Sequence, residues 1–400
     1  VNSQACSNSV VVSTVTPPPP PFNPQRVGFL PGVGTVNDIV TIGNVAYVAS
    51  NTFGLSIINV GTPATPTFLG SANNGFNGQK VAVASGHAVV SGTKDGKANL
   101  WVLDVSDPSA PQILGELSTT LNPAFFLDVA LNQSGTLAVI SMGATGIWIV
   151  DLSNPAVPTH CATCTFDTPG TAYASVIDGN FVYVADGAQG LRVVNISNPA
   201  APTSAGNLTI SGIQRDIALA NSRAYIADQQ GRLVIVDIAT PSAPRQDGAV
   251  VIGRYTFNVA VEGTRAIVRS SDSADYLDVI NVSTPTAPVL LNSIAVDAAN
   301  GIKGISLSGG KVFVANGTLG VKIYDIQNVT TSVQPVLLGA VKDDFTATHS
   351  AKAGSIAVVT GIYTPNNTAR LRVLDVSAPS APQILGALST TLNPAFFLDV

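Results

Sequence analysis

Residues 216–244 read DIALANSRAYIADQQGRLVIVDIATPSAP, three short apolar bursts separated by turn residues. DIALA (216–220) stops at Asn221-Ser222, a pair that suits a tight hairpin turn. The second burst, AYIAD, closes on Asp228 ahead of a loop carrying Gly231. The third, LVIVD (233–237), also closes on an Asp, placed to accept hydrogen bonds from the backbone of the next turn. TPSAP then ends the strand, because proline has no N–H to give to a ladder. The spacing predicts three antiparallel strands and a weaker fourth beyond the prolines.

The same grammar recurs along the chain. The third-strand motif reads LSIINVGTPATP from Leu55, LWVLDVSDPSAP from Leu100, IWIVDLSNPAVP from Ile147 and LRVVNISNPAAP from Leu191. It returns at Leu233, as LDVINVSTPTAP from Leu277, VKIYDIQNVTTSVQP from Val321 and LRVLDVSAPSAP from Leu371. These eight copies are spaced by 45, 47, 44, 42, 44, 44 and 50 residues. The fourth strand reads TFLGS (67–71), QILGE (112–116) or VLLGA (336–340). Four antiparallel strands every ~40 to 45 residues is the signature of a propeller blade, which cannot bury both faces alone. The units fit 36–71, 78–116, 124–163, 171–207, 213–249, 256–293, 302–340 and 348–388. The expectation is an all-β propeller of four-stranded antiparallel blades, eight in one ring, with six or seven as alternatives. A solenoid of hairpins fits less well, since no stretch reads as a polar cap.

On these motifs the chain resembles the LVIVD-repeat β-propeller family of bacteria and archaea, whose name stands outright in LVIVDIATPSAP (233–244). The resemblance covers roughly residues 36 to 388. It implies a secreted or surface-displayed propeller and carries over no catalytic residues. Unit seven departs from the pattern, since IQNVTTSVQP adds three residues between its last two strands.

One repeat is a near copy. Residues 102–129 and 373–400 match at 26 of 28 positions, differing only as Asp107 to Ala378 and Glu116 to Ala387. Divergence among the other units points to a copying event over 271 residues, six units, rather than to shared folding constraints. NPAFFLDV (393–400) then reads as a spare strand or the start of a further repeat within 389–400. The expectation is a native chain that continues, which keeps six-bladed rings in view.

Residues 1–35 lie outside the repeat as an N-terminal arm. SVVVSTVT (9–16) has strong strand propensity, and PPPPP (17–21) is a stiff spacer of about 3 Å per residue. A strand on a stiff arm suits edge pairing with another chain, through Val10, Val11, Val12 and Val15. The alternative is that the arm folds back as the outermost strand of the last blade and closes its own ring.

Hydrophobic residues make up 46% of the chain and charged residues only 11%. Mean hydropathy is +0.35, yet no apolar run approaches the ~18 to 20 residues of a membrane span. The net charge of −5 comes without a basic cluster, which argues against nucleic acid. Such a charge-poor surface suits cover by other subunits or by glycans. The chain opens on Val1 with no signal peptide, so an exported protein would have lost one earlier.

The chemistry-bearing residues are few. HCATC (160–164) is the one metal-like cluster, but it supplies three ligands where a structural zinc wants four. A Cys161–Cys164 disulfide is expected, which leaves Cys6 to cross-link subunits; the alternative is that Cys6 pairs with one of the two and staples the arm. The three histidines are scattered, and the only two glutamates are Glu116 and Glu262, so no triad or paired-carboxylate set assembles. The residues opening each first strand are Asp38, Lys80, Asp128, Ala174, Asp216, Asn258, Gly304 and His349, all expected at the channel mouth. Asp38, Asp128, Asp216 and Asn258 offer oxygen ligands to a cation, calcium first. The alternative is that they are solvated or bond neighbouring strand amides, and no cofactor is expected. Of seven N-x-S/T sequons, Asn207, Asn328 and Asn366 are the glycan candidates, while Asn195 and Asn281 fill the motif's Asp slot.

The function these features support is an extracellular structural or adhesive propeller, not an enzyme, assembled into a surface filament through its N-terminal strand. Its expected partners are copies of itself and surface glycans or other cells. The competing reading is a ligand-binding or hydrolytic propeller acting at its channel mouth.

Overall fold

The computed structural model describes residues 25–30, 32–119, 127–296, 301–316, 321–327, 329, 345–353, 356–363, 368–375 and 383–390. Contacts divide the chain into two compact units, Val1–Ser332 and Val333–Val400. Among the described residues no helix is long and apolar enough to cross a membrane.

The first unit holds seven four-stranded antiparallel sheets. Six are contiguous meanders, spanning 36–72, 77–118, 128–166, 174–208, 214–251 and 255–296. The seventh takes Gly304–Ser308, Lys311–Ala315 and Val321–Asp325 in chain order, but its outermost strand is Gln25–Leu30. Blades one and seven meet directly. Thr41 donates its backbone N–H to Ser306 Oγ at 3.0 Å, and Val33, Val36 and Ile39 share a buried cluster with Phe313, Val321 and Ile323.

The ring therefore has seven blades, not the eight expected from counting motifs. It closes one unit early because a strand from the N-terminal region fills the outer slot of blade seven. The eighth motif copy builds a separate sheet in the second unit, from Phe345–Ala353, Ile356–Tyr363, Thr368–Asp375 and Gln383–Thr390. VLLGA (336–340), Val10, Val11, Val12, Val15 and residues 393–400 lie outside the described residues.

Gln25–Leu30 sits in its slot in the ring's common register. Gly28 faces Ile323 and Arg26 faces Tyr324, with Val27 bulged between them. Gly115 and Ile113 face Val102 and Leu103 in the same way, as Gly248 and Gln246 face Ile235 and Val236. In each case a proline, Pro24, Pro111 or Pro244, stands four residues before the glycine.

That glycine explains how blades join. A Cβ on Gly115 would lie 2.4 Å from the Pro155 carbonyl oxygen, on Gly206 2.3 Å from that of Pro241, and on Gly248 2.4 Å from that of Pro285. The outer-strand glycine of one blade thus lies under the proline turn of the next, and the two ends of the motif form one joint. Gly206→Val is expected to push that turn away and destabilise the ring by about 1 to 3 kcal/mol. Calorimetry checks it, and an unchanged melting temperature would show the turn free to yield.

The strand-ending Asp or Asn behaves as the sequence predicts. Asn59, Asp104, Asp151, Asn195, Asp237, Asn281 and Asp325 each accept the backbone N–H two residues on, at 2.8–3.0 Å. Asn221 and Ser222 form their hairpin turn with φ of 50° and 56°. Seven buried apolar clusters occupy the blade-to-blade joints, the bulkiest with Phe76 stacked on Trp101 at 4.1 Å between centroids.

Candidate functional site at the channel mouth

The innermost strands of all seven blades line a central cavity of about 550 Å³. Asp38, Lys80, Asp128, Ala174, Asp216, Asn258 and Gly304 hold equivalent places on it, facing Ala49, Ser91, Ser141, Ala185, Ala227, Arg269 and Ala315 of their second strands. In blades one, two, five and six a bulge just before this residue sets it on the rim. Seven of the eight residues expected at the mouth thus come together. His349 does not join them: it pairs with Thr360 in the second unit.

The carboxylates alternate around the rim, on blades one, three and five. Each reaches the next blade's backbone: Asp38 Oδ2 accepts Val81 N–H at 3.1 Å, Asp128 Oδ2 accepts Ser175 N–H at 3.2 Å, and Asp216 Oδ2 accepts Val259 N–H at 2.9 Å. Lys80, Ala174 and Asn258 stand between them, so no two carboxylates occupy neighbouring blades. Gly304 leaves room for the first, since a Cβ there would lie 2.4 Å from Asp38 Oδ1. The rim acids are inter-blade staples. Among the described residues no three His, Cys, Asp or Glu side chains form a metal-holding group.

Crowding these acids into a cavity perturbs them. Burial pushes Asp128 up to about 7, with the Asp216 and Asp38 carboxylates adding to the effect and Lys80 opposing it. Burial also raises Asp216 to about 6, against the pull of the Val259 amide and Lys80, and it raises Asp38. Lys80, with Nζ 4.0 Å from Asp38 Oδ1, is raised above an ordinary lysine by that carboxylate first.

Sequence reading missed the cations and rings of the same mouth. Arg215 lies over the Tyr173 ring at 4.2 Å and donates to Gln229 Oε1 at 2.7 Å. Arg269 lies over Phe257 at 4.8 Å and pairs with Asp275 at 3.3 Å, and Lys303 lines the cavity beside them. Tyr173, Arg215, Phe257 and Lys303 each precede a rim residue by one position. Stepping the repeat register back by one would have found them.

The remaining candidates lie elsewhere. Cys161 and Cys164 are joined by a disulfide, and Cys6 lies outside the described residues. His160 stacks on Trp148 at 4.2 Å and donates from Nδ1 to the Ile149 carbonyl at 3.0 Å. Asn207 is exposed on the outer strand of blade four, and Asn328 and Asn366 lie outside the described residues.

Comparison with known proteins agrees with this architecture. No curated protein matches the chain. Among solved structures, the β-propeller domain of Cps50 (Swd1) from Myceliophteria thermophila superposes with a TM-score of 0.61 at 11% identity, covering 76% of this chain and 100% of that one. At that identity the likeness speaks for the fold alone. The LVIVD repeat model matches residues 33–74, 78–119, 128–165, 169–209, 211–251, 253–296 and 352–390, six blades of the ring and the separate eighth sheet. With well over half its length matched, the chain belongs to the LVIVD-repeat family.

Proposed function

We propose that this protein is a non-catalytic structural propeller, exported to the cell surface, whose work is to join copies of itself into a filament. The observation that carries the reading is the outer slot of blade seven. It accepts Gln25–Leu30, a strand remote in sequence, in the register of the ring's own outer strands. That strand closes its own ring, as the alternative reading of the arm expects, and what it lends to assembly is that the outer edge of a blade takes an added strand. SVVVSTVT (9–16), upstream on the proline spacer, is the segment proposed to add to such an edge on a neighbour. Pairing of that segment with a blade edge on a neighbour is a heterologous contact, which extends into an open polymer unless its rotation closes. The rim acids support the same reading, since each accepts a backbone N–H of the next blade and so joins the two.

Deleting residues 1–16 is expected to yield monomers whose ring melts as the full-length chain does. Sedimentation and electron microscopy check this. Filaments from the truncated protein, or a full-length chain that stays monomeric at high concentration, would end the proposal. A second reading, ligand or cation binding at the mouth, is favoured by the raised Asp128 in a cavity of about 550 Å³. Calcium or zinc found in stoichiometric amount in the purified protein would favour it.

A further inference from the structure

The inner strands carry a second layer of residues, one position ahead of the rim. On blades four to seven it reads Tyr173, Arg215, Phe257 and Lys303, ring and cation by turns, and all four line the central cavity. Lys303 is exposed while Gly304 after it is buried, so on blade seven this layer stands on the solvent side of the rim. The cations of the mouth are not equivalent. Arg269, over Phe257, is matched by Asp275, and Lys80 stands beside Asp38. Arg215 and Lys303 pair with no carboxylate among the described residues.

Arg215 is nonetheless held in place. Its guanidinium lies over the Tyr173 ring at 4.2 Å, and its Nε donates to Gln229 Oε1 at 2.7 Å, a neutral partner. Stacking covers one face of the guanidinium plane and leaves its edge, where the Nη donors point, to meet an oxyanion. A cation fixed by a ring and an amide, rather than by an acid, is preorganised for an anion from outside the chain. The rim offers polar groups to the rest of such a ligand. Asp128 accepts the Ser175 N–H on Oδ2, and its Oδ1 accepts no hydrogen bond among the described residues. Lys80 Nζ has only the Asp38 carboxylate near it, at 4.0 Å. The three rim carboxylates also limit the ligand's charge, since a dianion would meet more repulsion from them than a monoanion. A cavity of about 550 Å³ lies within the usual range for small-molecule sites, roughly 300 to 1,000 Å³.

We propose that the channel mouth binds a hydroxylated monocarboxylate, an acidic sugar unit, with its carboxylate held by Arg215 and Lys303 and its hydroxyls met by Lys80 and Asp128. Such binding rests on the reading of the mouth as a ligand site and stands apart from filament assembly. Arg215 supplies a paired fork of donors to the carboxylate, and Lys303 a second positive charge two blades on. Lys80 donates to a sugar hydroxyl, and Asp128 Oδ1 accepts from one.

Isothermal titration of the full-length protein with sodium glucuronate tests this. A single glucuronate is expected to bind each chain, glucose is expected not to bind, and inorganic phosphate should bind more weakly than glucuronate. Arg215→Ala and Lys303→Ala are each expected to weaken glucuronate at least about tenfold. Lys303 is exposed, so its variant should melt with the parent, and it decides the matter alone if Arg215→Ala fails to fold. Absence of glucuronate binding would overturn the proposal. So would glucose or phosphate binding as tightly as glucuronate, or a folded variant of either cation that binds it as the parent does. Calcium or zinc in stoichiometric amount in a protein that takes no glucuronate would end the acidic-sugar assignment and leave the mouth a cation site.

Discussion

A chain lacking residues 1–30 is expected to melt roughly 10 °C below the full-length protein. Gln25–Leu30 pairs at five positions with Val321–Asp325, the exposed edge of blade seven once that strand is gone. Backbone hydrogen bonds contribute about 0.5 to 1.5 kcal/mol net apiece. Leu30 packs on the cluster between blades seven and one, and Val33, 2% exposed in that cluster, loses the segment that leads into it. Burial of such a side chain stabilises by about 1.5 to 3 kcal/mol when complete. Together these amount to about 5 kcal/mol, concentrated at the one joint where the ring closes. Calorimetry of the 1–30 deletion beside the 1–16 deletion separates ring closure from assembly. Hydrogen exchange should show Val321–Asp325 losing protection only in the longer deletion. Equal melting of the two would mean that Pro335–Gly339, with the same proline-to-glycine spacing as Pro24–Gly28, takes the slot instead.

The second large effect is a stability that falls as pH rises through neutrality. Asp128 has a folded pKa of about 7 against 3.8 for a free side chain. Between those values the folded state binds more protons than the unfolded, so unfolding free energy decreases with pH across this window and levels off above it. At roughly 1.4 kcal/mol per unit, the burden of Asp128 above pH 7 is about 2 to 4 kcal/mol. Asp216, at about 6, works in the same direction, and the two titrate together with Asp38 and Lys80 in one cavity. The wild-type melting temperature is expected to be several degrees higher near pH 5 than near pH 8. Asp128→Asn keeps an oxygen for the Ser175 N–H and removes the charge, so it should raise stability near pH 8 and flatten the profile. A wild-type profile that is flat or rises from pH 5 to 8 would show the rim acids to be ordinary.

Much of this was legible in the chain itself. Strand, turn and stop are local: two prolines end a ladder, Asn221-Ser222 bends a hairpin, and Asp237 caps its own turn wherever the blade sits. Repetition then set the rim residues in register, so Asp38, Lys80, Asp128 and Asp216 could be placed at one mouth from sequence spacing alone. What they do there was not legible. Whether Asp128 binds a cation, stays solvated or staples an amide depends on where the Ser175 backbone lies, 47 residues away and on another blade. The number of blades is of the same kind. Eight motif copies all form four-stranded sheets, yet seven make the ring, because closure depends on which strand occupies the last outer slot. Two segments carry the motif for that slot, residues 24–28 and 335–339, and local propensity does not rank them. Only the packing of blade one against blade seven, with Thr41 on Ser306 and Val33 in the cluster between them, brings Gln25–Leu30 to that edge.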